Sequence, residues 1–407
     1  MRPLHDAQQQ VLDTVPALPA MPTPLADCLG LVLAEDVVAP HNIPPFDNSA
    51  MDGYAVRAAD VEATPVTLNV LEDVPAGSVP TRAVDAGEAT KIMTGAPLPA
   101  GADAVVRVED TESGTETVTI LTGAPVGTAV RRAGGDIAGG STVAWAGTRL
   151  GANHLGVLAS VGAADPLVFR RPMVAVLSTG DELVPYETAE LQPGQIRGTN
   201  GLVLVNVLHQ LGVEVLDLGT VGDNAQDLRD ALARGAAEAD AIVTSGGVSM
   251  GEYDLVKAVL TELGGVEFWQ VAMQPGKPFA FGMIEGTPLF GLPGNPVSVF
   301  VAFEQFVRPA LLHMMGVERP FRPRIAGIID EDVHTSPEKT VFVRVAVSWS
   351  GARPHARLSG GQDSNVLSAL ASADALAVIP VGTGDVTAGS EISLEFFSHP
   401  EDRGLSE

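Results

Sequence analysis

Three loops rich in glycine and proline lie close together in the second half of the chain. They read Ser245-Gly-Gly-Val-Ser-Met-Gly251, Gln274-Pro-Gly-Lys-Pro-Phe279 and Gly291-Leu-Pro-Gly-Asn-Pro296. Glycine has no Cβ and tolerates positive φ, so such loops let backbone N–H groups approach a ligand closely. Consecutive N–H groups in turns of this kind form concavities that bind anions. Three such loops with one lysine predict a site for a phosphate-bearing molecule.

The first loop joins a strand end to the start of a helix. Apolar Ala241–Thr244 precedes it, and Asp254 lies where the next helix is predicted to begin. A glycine turn at a helix N-terminus suits phosphate, and a carboxylate such as Asp254 is also favourable there. The alternative interpretation is a tight turn followed by a helix-stabilising acid. The loop residues predicted to contact the ligand are Ser245, Gly246, Gly247 and Ser249.

The second and third loops add one cation and one helix cap. Pro278 biases Lys277 away from helix, so that a rigid turn presents the ammonium group. Asn295 and Pro296 fit the N-cap and the first position of an apolar helix, whose positive dipole end would face a ligand. An exposed turn lysine and ordinary helix capping are the alternatives. The other predicted contacts are Pro275, Gly276, Pro293 and Gly294.

A further polar segment, Ser178-Thr-Gly-Asp-Glu182, follows a predicted strand. Ser178 and the carboxylate of Asp181 would lie at the carboxyl end of that strand, where α/β sheets bind ligands. Asp181 could therefore contact a cation or a ribose hydroxyl. Thr199 and Asn200 precede the next predicted helix and are expected to cap it.

Two segments of the first half carry charge beside glycine. Asp47 and Asp52 lie five residues apart in a long loop, next to Gly53, which fits metal coordination, contact with a polar substrate, or simple turn formation. Arg131 and Arg132 precede a Gly–Gly turn. Adjacent guanidinium groups could bind an oxyanion bidentately, or could form a solvated edge.

Composition restricts the kinds of partner. The 407 residues are 45% hydrophobic and 18% charged, which is typical of a folded protein, and the net charge is −26. Such a charge argues against nucleic acid and anionic membranes as partners, and any anion site must be locally positive. Cys28 is the single cysteine, so neither a disulfide nor a cysteine-based metal site is expected. The sequence has no apolar run of ~18 residues, the length that a membrane-spanning helix needs, and no apolar signal-peptide core near Met1. The expected location is therefore the cytoplasm.

The elements that position these loops follow from the hydrophobic pattern. Strands and helices alternate between 171 and 318, which predicts a doubly wound, mostly parallel α/β domain. Short β-rich runs with Gly/Pro turns predict a small all-β domain over 47–135, and the pattern of 319–407 predicts a C-terminal β-barrel-like domain. Residues 1–46 with 136–170 are predicted to form an N-terminal α+β region. Within it, helical spacing of Leu25, Leu29, Val32 and Leu33 predicts a helix over 24–38.

Six motifs in series resemble those of the molybdopterin molybdenumtransferase family, the MoeA and gephyrin E-domain type, over nearly the whole chain. The resemblance implies a multidomain α/β plus β subunit that is elongated and dimerises through its N-terminal region. It implies that molybdate and adenylated molybdopterin react, with Mg²⁺, to insert molybdenum and release AMP. The motifs are Pro45-Phe-Asp-Asn-Ser-Ala-Met-Asp-Gly-Tyr-Ala55, Ile92-Met-Thr-Gly-Ala-Pro97, Ser178-Thr-Gly-Asp-Glu-Leu183, Ser245-Gly-Gly-Val-Ser249, Pro275-Gly-Lys-Pro-Phe-Ala-Phe281 and Gly291-Leu-Pro-Gly-Asn-Pro-Val-Ser298.

The resemblance also assigns roles to residues. The implied catalytic residues are Asp52, Thr94, Asp254 and Lys277, of which Asp52 and Asp254 would bind Mg²⁺. Ser364, in Gly361-Gln-Asp-Ser-Asn365, resembles a serine at the edge of the family's site. The family's site is shared between two subunits of a homodimer, so Asp52 and Thr94 would serve the loops of the partner subunit. The adenylyltransferase that makes the substrate is a further candidate partner.

One departure and two alternatives remain open. Many relatives carry a lysine where this chain has Gln274, so one positive contact is missing and Lys277 is expected to carry more of the anion binding. The α/β segment also resembles molybdopterin adenylyltransferase, which would release pyrophosphate from ATP. A gephyrin-like scaffold or binding module is the alternative from another class.

Overall fold

The computed structural model describes residues 1–114, 116–222, 224–247 and 255–398, with only the backbone of Leu255. The chain divides into two compact units. The larger unit comprises Met1–Met21, Gly30–Val32 and Phe169–Glu407, and the smaller one comprises Pro22–Leu29 and Leu33–Val168. The finer four-part division expected from the sequence stays a prediction.

A six-stranded sheet forms the centre of the larger unit. Its first four strands are parallel and its last two are antiparallel. In order across the sheet the strands are Glu214–Val221, Met173–Thr179, Ala241–Ser245, Thr287–Leu292, Pro278–Ile284 and Val266–Gln270. The described helices of this unit are Leu4–Thr14, Asn200–Leu211, Ala225–Glu238, Leu255–Leu263, Leu367–Ala371 and a continuous helix made of Pro296–Ala302, π-helical Phe303–Val307 and Arg308–Met314.

Helices cover both faces of this sheet. Successive strand residues point to opposite faces, so Val174 and Val176 pack into one core with Leu204, while Ala175 packs into a second core with Leu228. A strand buried on both faces reads as a continuous apolar run, as Met173–Leu177 does. The predicted doubly wound, mostly parallel α/β domain is confirmed.

A closed five-stranded barrel follows this domain. Its strands, in order, are Thr340–Ser350, Arg353–Leu358, Ile325–Ile329, Glu391–Phe396 and Ala375–Ile379. The barrel closes because Ala375–Ile379 pairs with both Glu391–Phe396 and Thr340–Ser350. A two-residue strand, Met273–Gln274, adds to the outside of Thr340–Ser350. The predicted barrel-like C-terminal domain is therefore confirmed.

The smaller unit is mainly β-structure, as predicted. Its six-stranded sheet contains, in order, Ala104–Arg107, Gly53–Val56, Glu88–Ile92, Val66–Val74, Thr117–Ile120 and Thr111–Ser113. Val130–Arg131 pairs with Asn48–Ser49, Thr142–Ala144 pairs with Val37–Val38, and Ala152–Ser160 is a helix. The shorter elements of the chain are the strands Ala20–Pro22, Val32–Leu33, Leu167–Phe169, Leu183–Val184 and Ile196–Arg197 and the 3-10 turns Leu25–Asp27, Ala58–Val61 and Val108–Asp110.

The helix predicted over 24–38 is wrong. The segment contains the 3-10 turn Leu25–Asp27, then Gly30 at φ 81°, then short strands at Val32–Leu33 and Val37–Val38. A residue with positive φ ends a right-handed helix, so the helical spacing of leucines and valines across Gly30 has no structural meaning. Among the described helices of the chain, none is long and apolar enough to cross a bilayer.

Candidate active site

The predicted ligand loops meet at one edge of the central sheet. Ser178 is opposite Ser245 in the parallel register, and Ser245 is opposite Leu292. The loops that follow these three residues therefore leave the sheet side by side. The strand Pro278–Ile284 runs in the opposite direction, so the loop that precedes it lies at the same edge. This is the carboxyl edge, where open α/β sheets bind ligands.

The first loop is built on two glycines that no other residue replaces easily. Gly246 and Gly247 have φ values of 98° and 68°. A Cβ on Gly247 would lie 2.1 Å from Val256 Cγ2, which is well inside contact distance. The Gly246 N–H donates to the Leu292 carbonyl oxygen at 3.1 Å, which links the first loop to the strand that leads into the third. Ser249 and Asp254 lie outside the described residues.

Ser178, Ser245 and Asp181 all lie at this edge but differ in exposure. Ser178 is 5% exposed and Ser245 is 2% exposed, so both hydroxyls belong to the loop framework. Asp181 is exposed, and a Cβ on Gly222 would lie 2.7 Å from its Oδ1 atom. The Asp181 carboxylate is thus held beside the end of the neighbouring strand Glu214–Val221.

Asn200 connects the first and third loops, a role that the sequence did not predict. Its Nδ2 atom donates to Ser245 Oγ at 2.9 Å and to the Gly294 carbonyl oxygen at 2.7 Å. A carbonyl oxygen only accepts, so the amide nitrogen must face Gly294. The sequence predicted only a helix-capping role for this asparagine. The N-cap position is occupied by Thr199, whose side chain makes no capping hydrogen bond.

The second loop runs from the barrel to the central sheet. Gln274 ends the strand that pairs with barrel strand Thr340–Ser350, and Pro278 begins a strand of the central sheet. Pro275 and Gly276 are buried, with Gly276 at φ 96°. Lys277 is half-buried, and within the described ranges its ammonium group makes no hydrogen bond or ion pair. The lysine therefore keeps its charge available for a ligand.

The third loop is fastened to the barrel through a side chain expected to cap a helix. Asn295 and Pro296 occupy the N-cap and first helical positions, as predicted, but Asn295 makes no side-chain capping bond. Its Nδ2 atom donates to Ser364 Oγ at 3.0 Å instead. The Val297 N–H also donates to the Ser364 carbonyl oxygen at 3.1 Å. Pro293 is buried, whereas Gly294 is exposed at the loop tip.

A cavity of about 350 Å³, here called the loop pocket, lies between the second loop, the third loop and the barrel. Its lining contains two ammonium groups, Lys277 and Lys339, and one carboxylate, Asp363. Lys339 Nζ lies 3.5 Å from Gln274 Oε1, so a cation from the barrel stands beside Gln274. The complete lining is Met273, Gln274, Pro275, Gly276, Lys277, Pro278, Pro293, Asn295, Ser298, Lys339, Gln362, Asp363 and Ser364.

Lys339 was missed because its local sequence gives no signal. It stands in Ser336-Pro-Glu-Lys-Thr340, which resembles an ordinary charged turn. The one feature of the sequence that could have pointed to Lys339 is the small total number of lysines. The chain has four, Lys91, Lys257, Lys277 and Lys339, and two of them line one cavity.

In the smaller unit, Asp52 and Thr94 form a pair. The Thr94 N–H and Thr94 Oγ1 both donate to Asp52 Oδ1, at 2.7 and 2.9 Å. These two bonds, the backbone one first, lower the pKa of the exposed Asp52 carboxyl below its ordinary value. Asp52 is therefore ionised at neutral pH, with Oδ2 available to a ligand.

The two arginines of this unit differ. Arg132 Nη1 lies 2.5 Å from Asp47 Oδ2, and the Ala133 N–H donates to Asp47 Oδ1 at 2.8 Å. These contacts hold the pKa of Asp47 below its ordinary value, with the Ala133 bond as the largest cause. Arg132 thus forms an ion pair with Asp47, and its side chain stays 54% exposed. Arg131 is exposed and makes no ion pair with the part of the chain that the structure describes.

Within the same described ranges, no group of three His, Cys, Asp or Glu side chains is arranged to hold a metal ion. Asp52 and Asp254 were the predicted ligands, and the second lies outside those ranges. A doubly wound sheet with glycine loops at its carboxyl edge and two lysines beside them defines the chain as an α/β protein of the kind whose ligands bind at that edge.

Comparison with known proteins identifies the family within this class. Family models match residues 2–162 (MoeA N-terminal region, domain I and II), 175–313 (probable molybdopterin binding domain) and 326–397 (MoeA C-terminal region, domain IV). Molybdopterin molybdenumtransferase 2 of Mycobacterium tuberculosis is 40% identical over 404 residues, 97% of this chain and 99% of that protein. The molybdopterin molybdenumtransferase of Haemophilus influenzae is 37% identical over 98% of this chain and 99% of that protein.

A solved structure gives the same result. The molybdopterin biosynthesis MoeA protein from Pyrococcus horikoshii superposes with a TM-score of 0.81 at 35% identity, over 98% of this chain and 99% of that one. The chain therefore belongs to the MoeA family of molybdopterin molybdenumtransferases.

Proposed function

We propose that this chain transfers molybdenum from molybdate to adenylated molybdopterin and releases AMP, the last step of molybdenum cofactor synthesis. Relatedness over nearly the full length supports the reaction. The observation that carries the proposal is the loop pocket, where half of the lysines of a chain with net charge −26 line one cavity. Lysines in an acidic protein that serve only solubility would be dispersed over the surface.

The loop pocket suits a small oxyanion such as molybdate. Lys277 has no carboxylate partner within the described ranges, and the neighbour of Lys339 is the neutral amide of Gln274. Both ammonium groups therefore keep their charge for the ligand. Half-buried charges are screened less by salt than exposed ones, so the pocket attracts a dianion although the whole chain is acidic.

The phosphate groups of the substrate require amide donors and little covalent chemistry from the protein. Cleaving a pyrophosphate bond depends on positioning and on neutralising charge that develops on oxygen. Gly247, at φ 68° in the first loop, would present its backbone N–H to phosphate at the same sheet edge as the loop pocket, while the Gly246 N–H holds the loop through its bond to the Leu292 carbonyl oxygen. The link from Asn200 keeps the first and third loops at a fixed separation.

Mg²⁺ is a further part of the proposal. The Asp52 carboxylate is ionised and exposed, and Oδ2 accepts no hydrogen bond from the described residues. Mg²⁺ commonly takes one or two carboxylates and completes its coordination with substrate phosphates and water. Asp52 thus fits as a protein ligand, with Asp254 proposed as the second. When bound, Mg²⁺ would neutralise charge on the phosphate oxygens.

We also propose a cytoplasmic homodimer, on the basis of family membership. Asp52 and Thr94 of one subunit would then serve the loop pocket of the other. At molybdate concentrations far below the raised KM of Lys277→Met, mixing the variants Asp52→Ala and Lys277→Met should restore about a quarter of the wild-type activity through mixed dimers. If the mixture stays inactive although subunits exchange, the proposal of a site shared between subunits is wrong.

We further propose that the adenylyltransferase transfers its product directly to this chain. A measurement of binding between the two enzymes tests this.

The central test is molybdate-dependent release of AMP from adenylated molybdopterin, with and without Mg²⁺. The lysines provide matched variants. Lys277→Met and Lys339→Met should each raise the molybdate KM by about tenfold or more, whereas Lys91→Met and Lys257→Met, outside the pocket, should leave it unchanged. No AMP release from the wild-type chain would refute the function. Release of pyrophosphate from molybdopterin and ATP would support the adenylyltransferase instead.

A further inference from the structure

Arg2 pairs with the edge of the central sheet at the point where the second loop begins. The strand Val266–Gln270 is the last of the six strands, so one of its sides is open to pairing. The Arg2 N–H donates to the Gln270 carbonyl oxygen at 2.7 Å, and the Ala272 N–H donates to the Arg2 carbonyl oxygen at 2.7 Å. These two bonds form a parallel bridge opposite Val271. Arg2 therefore extends the sheet by one residue at the base of the second loop.

The side chain of Arg2 fixes this bridge through three contacts. Its Cζ atom lies 4.2 Å from the centre of the Trp269 ring, in the geometry of a cation–π contact. Its Nη1 atom lies 3.9 Å from Glu267 Oε2, an oxygen that also accepts the Trp269 Nε1 hydrogen bond at 2.8 Å. Its Nη2 atom donates to Gln10 Oε1. Backbone pairing at a sheet edge needs no particular side chain, so these contacts give Arg2 a role beyond covering that edge.

The residue opposite Arg2 is the one that closes the second loop. The Val271 N–H donates to the Lys277 carbonyl oxygen at 2.8 Å, and Val271 is fully buried. The next residue is held from two directions. The N–H of Ala272 bonds to Arg2, and its carbonyl oxygen accepts from the N–H of Thr340 in the barrel at 3.0 Å. The base of the loop is therefore fastened to Arg2 on one side and to the barrel on the other.

Lys277 lies at the far end of this series of contacts. It lines the loop pocket and is half-buried. The residue after it, Pro278, begins the neighbouring strand and stands opposite Gln270, whose carbonyl oxygen accepts from Arg2. The backbone that carries Lys277 is thus held by two residues, Gln270 and Val271, and Arg2 bridges both of them. A shift of this segment would move the lysine within the pocket.

We propose that Arg2 is a positioning residue, which holds the base of the second loop so that Lys277 presents its ammonium group to the oxyanion in the loop pocket. The inference rests on the proposed binding of an oxyanion there. Arg2 lies outside the lining of the pocket, so it acts through the loop and does not touch the substrate. Its loss should weaken molybdate binding much more than it slows the turnover of bound substrate.

The test compares Arg2→Met with Arg234→Met, whose arginine forms an exposed ion pair with Glu238 on a helix of the same unit. Equilibrium binding of molybdate, the KM and kcat of AMP release, and thermal unfolding are measured for each. Arg2→Met should raise the molybdate Kd and KM by about three- to tenfold, because small misplacements in a site are costly, with kcat changed less than about twofold. Arg2→Lys keeps a cation for the Trp269 ring and should recover most of the affinity. Arg234→Met should match the wild type.

Hydrogen exchange separates a local effect from a general loss of stability. The Ala272 amide, which donates to Arg2, and the Val271 amide, which donates to Lys277, should exchange at least about threefold faster in Arg2→Met. The Asp240 amide, which donates to the Met173 carbonyl oxygen elsewhere in the unit, should keep its wild-type rate. Equal acceleration at all three amides would overturn the inference.

A double-mutant cycle tests whether Arg2 acts through Lys277. If it does, Arg2→Met should weaken molybdate binding in the wild-type background and have little further effect in Lys277→Met. Additive effects would overturn the inference, as would an unchanged molybdate Kd in Arg2→Met. If Arg2→Met does not fold, Gln10→Ala takes its place, because it removes one of the three contacts of the Arg2 side chain. Wild-type affinity and wild-type Ala272 exchange in that variant would equally overturn it.

The failure of the inference and the failure of the proposed function give different results. A wild-type chain that neither binds molybdate nor releases AMP contradicts the proposed function. A wild-type chain that does both, with an Arg2→Met variant that binds molybdate equally well, contradicts only the role of Arg2.

Discussion

Asn200→Ala should release the first loop from the third. The variant removes two hydrogen bonds from Nδ2, to Ser245 Oγ and to the Gly294 carbonyl oxygen. Each contributes about 1 kcal/mol net, and leaving a buried acceptor without its donor adds about 1 kcal/mol more. That extra cost applies to Ser245, which is 2% exposed, and not to exposed Gly294. The expected loss is about 2–3 kcal/mol, or about 30- to 150-fold in a local opening equilibrium.

Hydrogen exchange at the Gly246 amide reports this loss directly, because that N–H donates to the Leu292 carbonyl oxygen between the two loops. Its exchange should accelerate by about the calculated factor if exchange follows local opening. Asn206→Ala is the matched control, since Asn206 lies on the same helix and its Nδ2 donates to the Leu202 carbonyl oxygen at the exposed surface. Unchanged Gly246 exchange in Asn200→Ala would refute the bridging role.

Three further changes test other parts of the site. Thr94→Val removes the hydroxyl bond to Asp52, so the Asp52 pKa should rise toward 3.8 in a carboxyl NMR titration. Folding depresses the pKa of Asp52, so its hydrogen bonds stabilise the folded state only where the carboxyl is ionised. The loss of unfolding free energy in Thr94→Val should therefore be complete above pH 3.8 and should vanish as the pH falls through the folded-state pKa of Asp52. Gly247→Ala should lower stability by about 2–4 kcal/mol, because positive φ and a 2.1 Å contact add their costs, and an unchanged unfolding midpoint would contradict this. Gln274→Lys places a second ammonium group near Lys339 and should tighten molybdate binding about three- to tenfold at low ionic strength, with no gain at 1 M salt.

Two asparagines show how far local sequence determines the outcome. Asn224 and Asn295 both stand before a helix, and asparagine is a favoured N-cap residue. Asn224 does so, because its side chain accepts from the N–H groups of Gln226 and Asp227. Asn295 occupies the same position but bonds to Ser364, 69 residues away in sequence. The backbone position follows from local chemistry, whereas the side-chain partner depends on which distant loop is nearby.

The same distinction explains what was predicted and what was missed. The order of strands and helices and the edge at which the loops lie could be predicted, because the hydrophobic pattern and the rules of parallel sheets determine both. The positions of Lys339 and Asn200 could not, because each contacts a segment far away in the chain. The ion pair of Arg132 with Asp47 could not be predicted either, because the two residues lie 85 positions apart in the chain.

The charge of the chain leads to an unusual dependence on salt. A net charge of −26 repels molybdate at long range, whereas Lys277 and Lys339 attract it only within the loop pocket. At 0.01 M salt the Debye length is about 30 Å, so the whole protein acts on the incoming anion, but at 0.15 M it is about 8 Å and mainly the pocket does. Molybdate should therefore associate about two- to fivefold faster at the higher salt concentration in stopped-flow measurements, the reverse of attractive steering. A rate that falls with salt would mean that the local lysines dominate the approach even at long range.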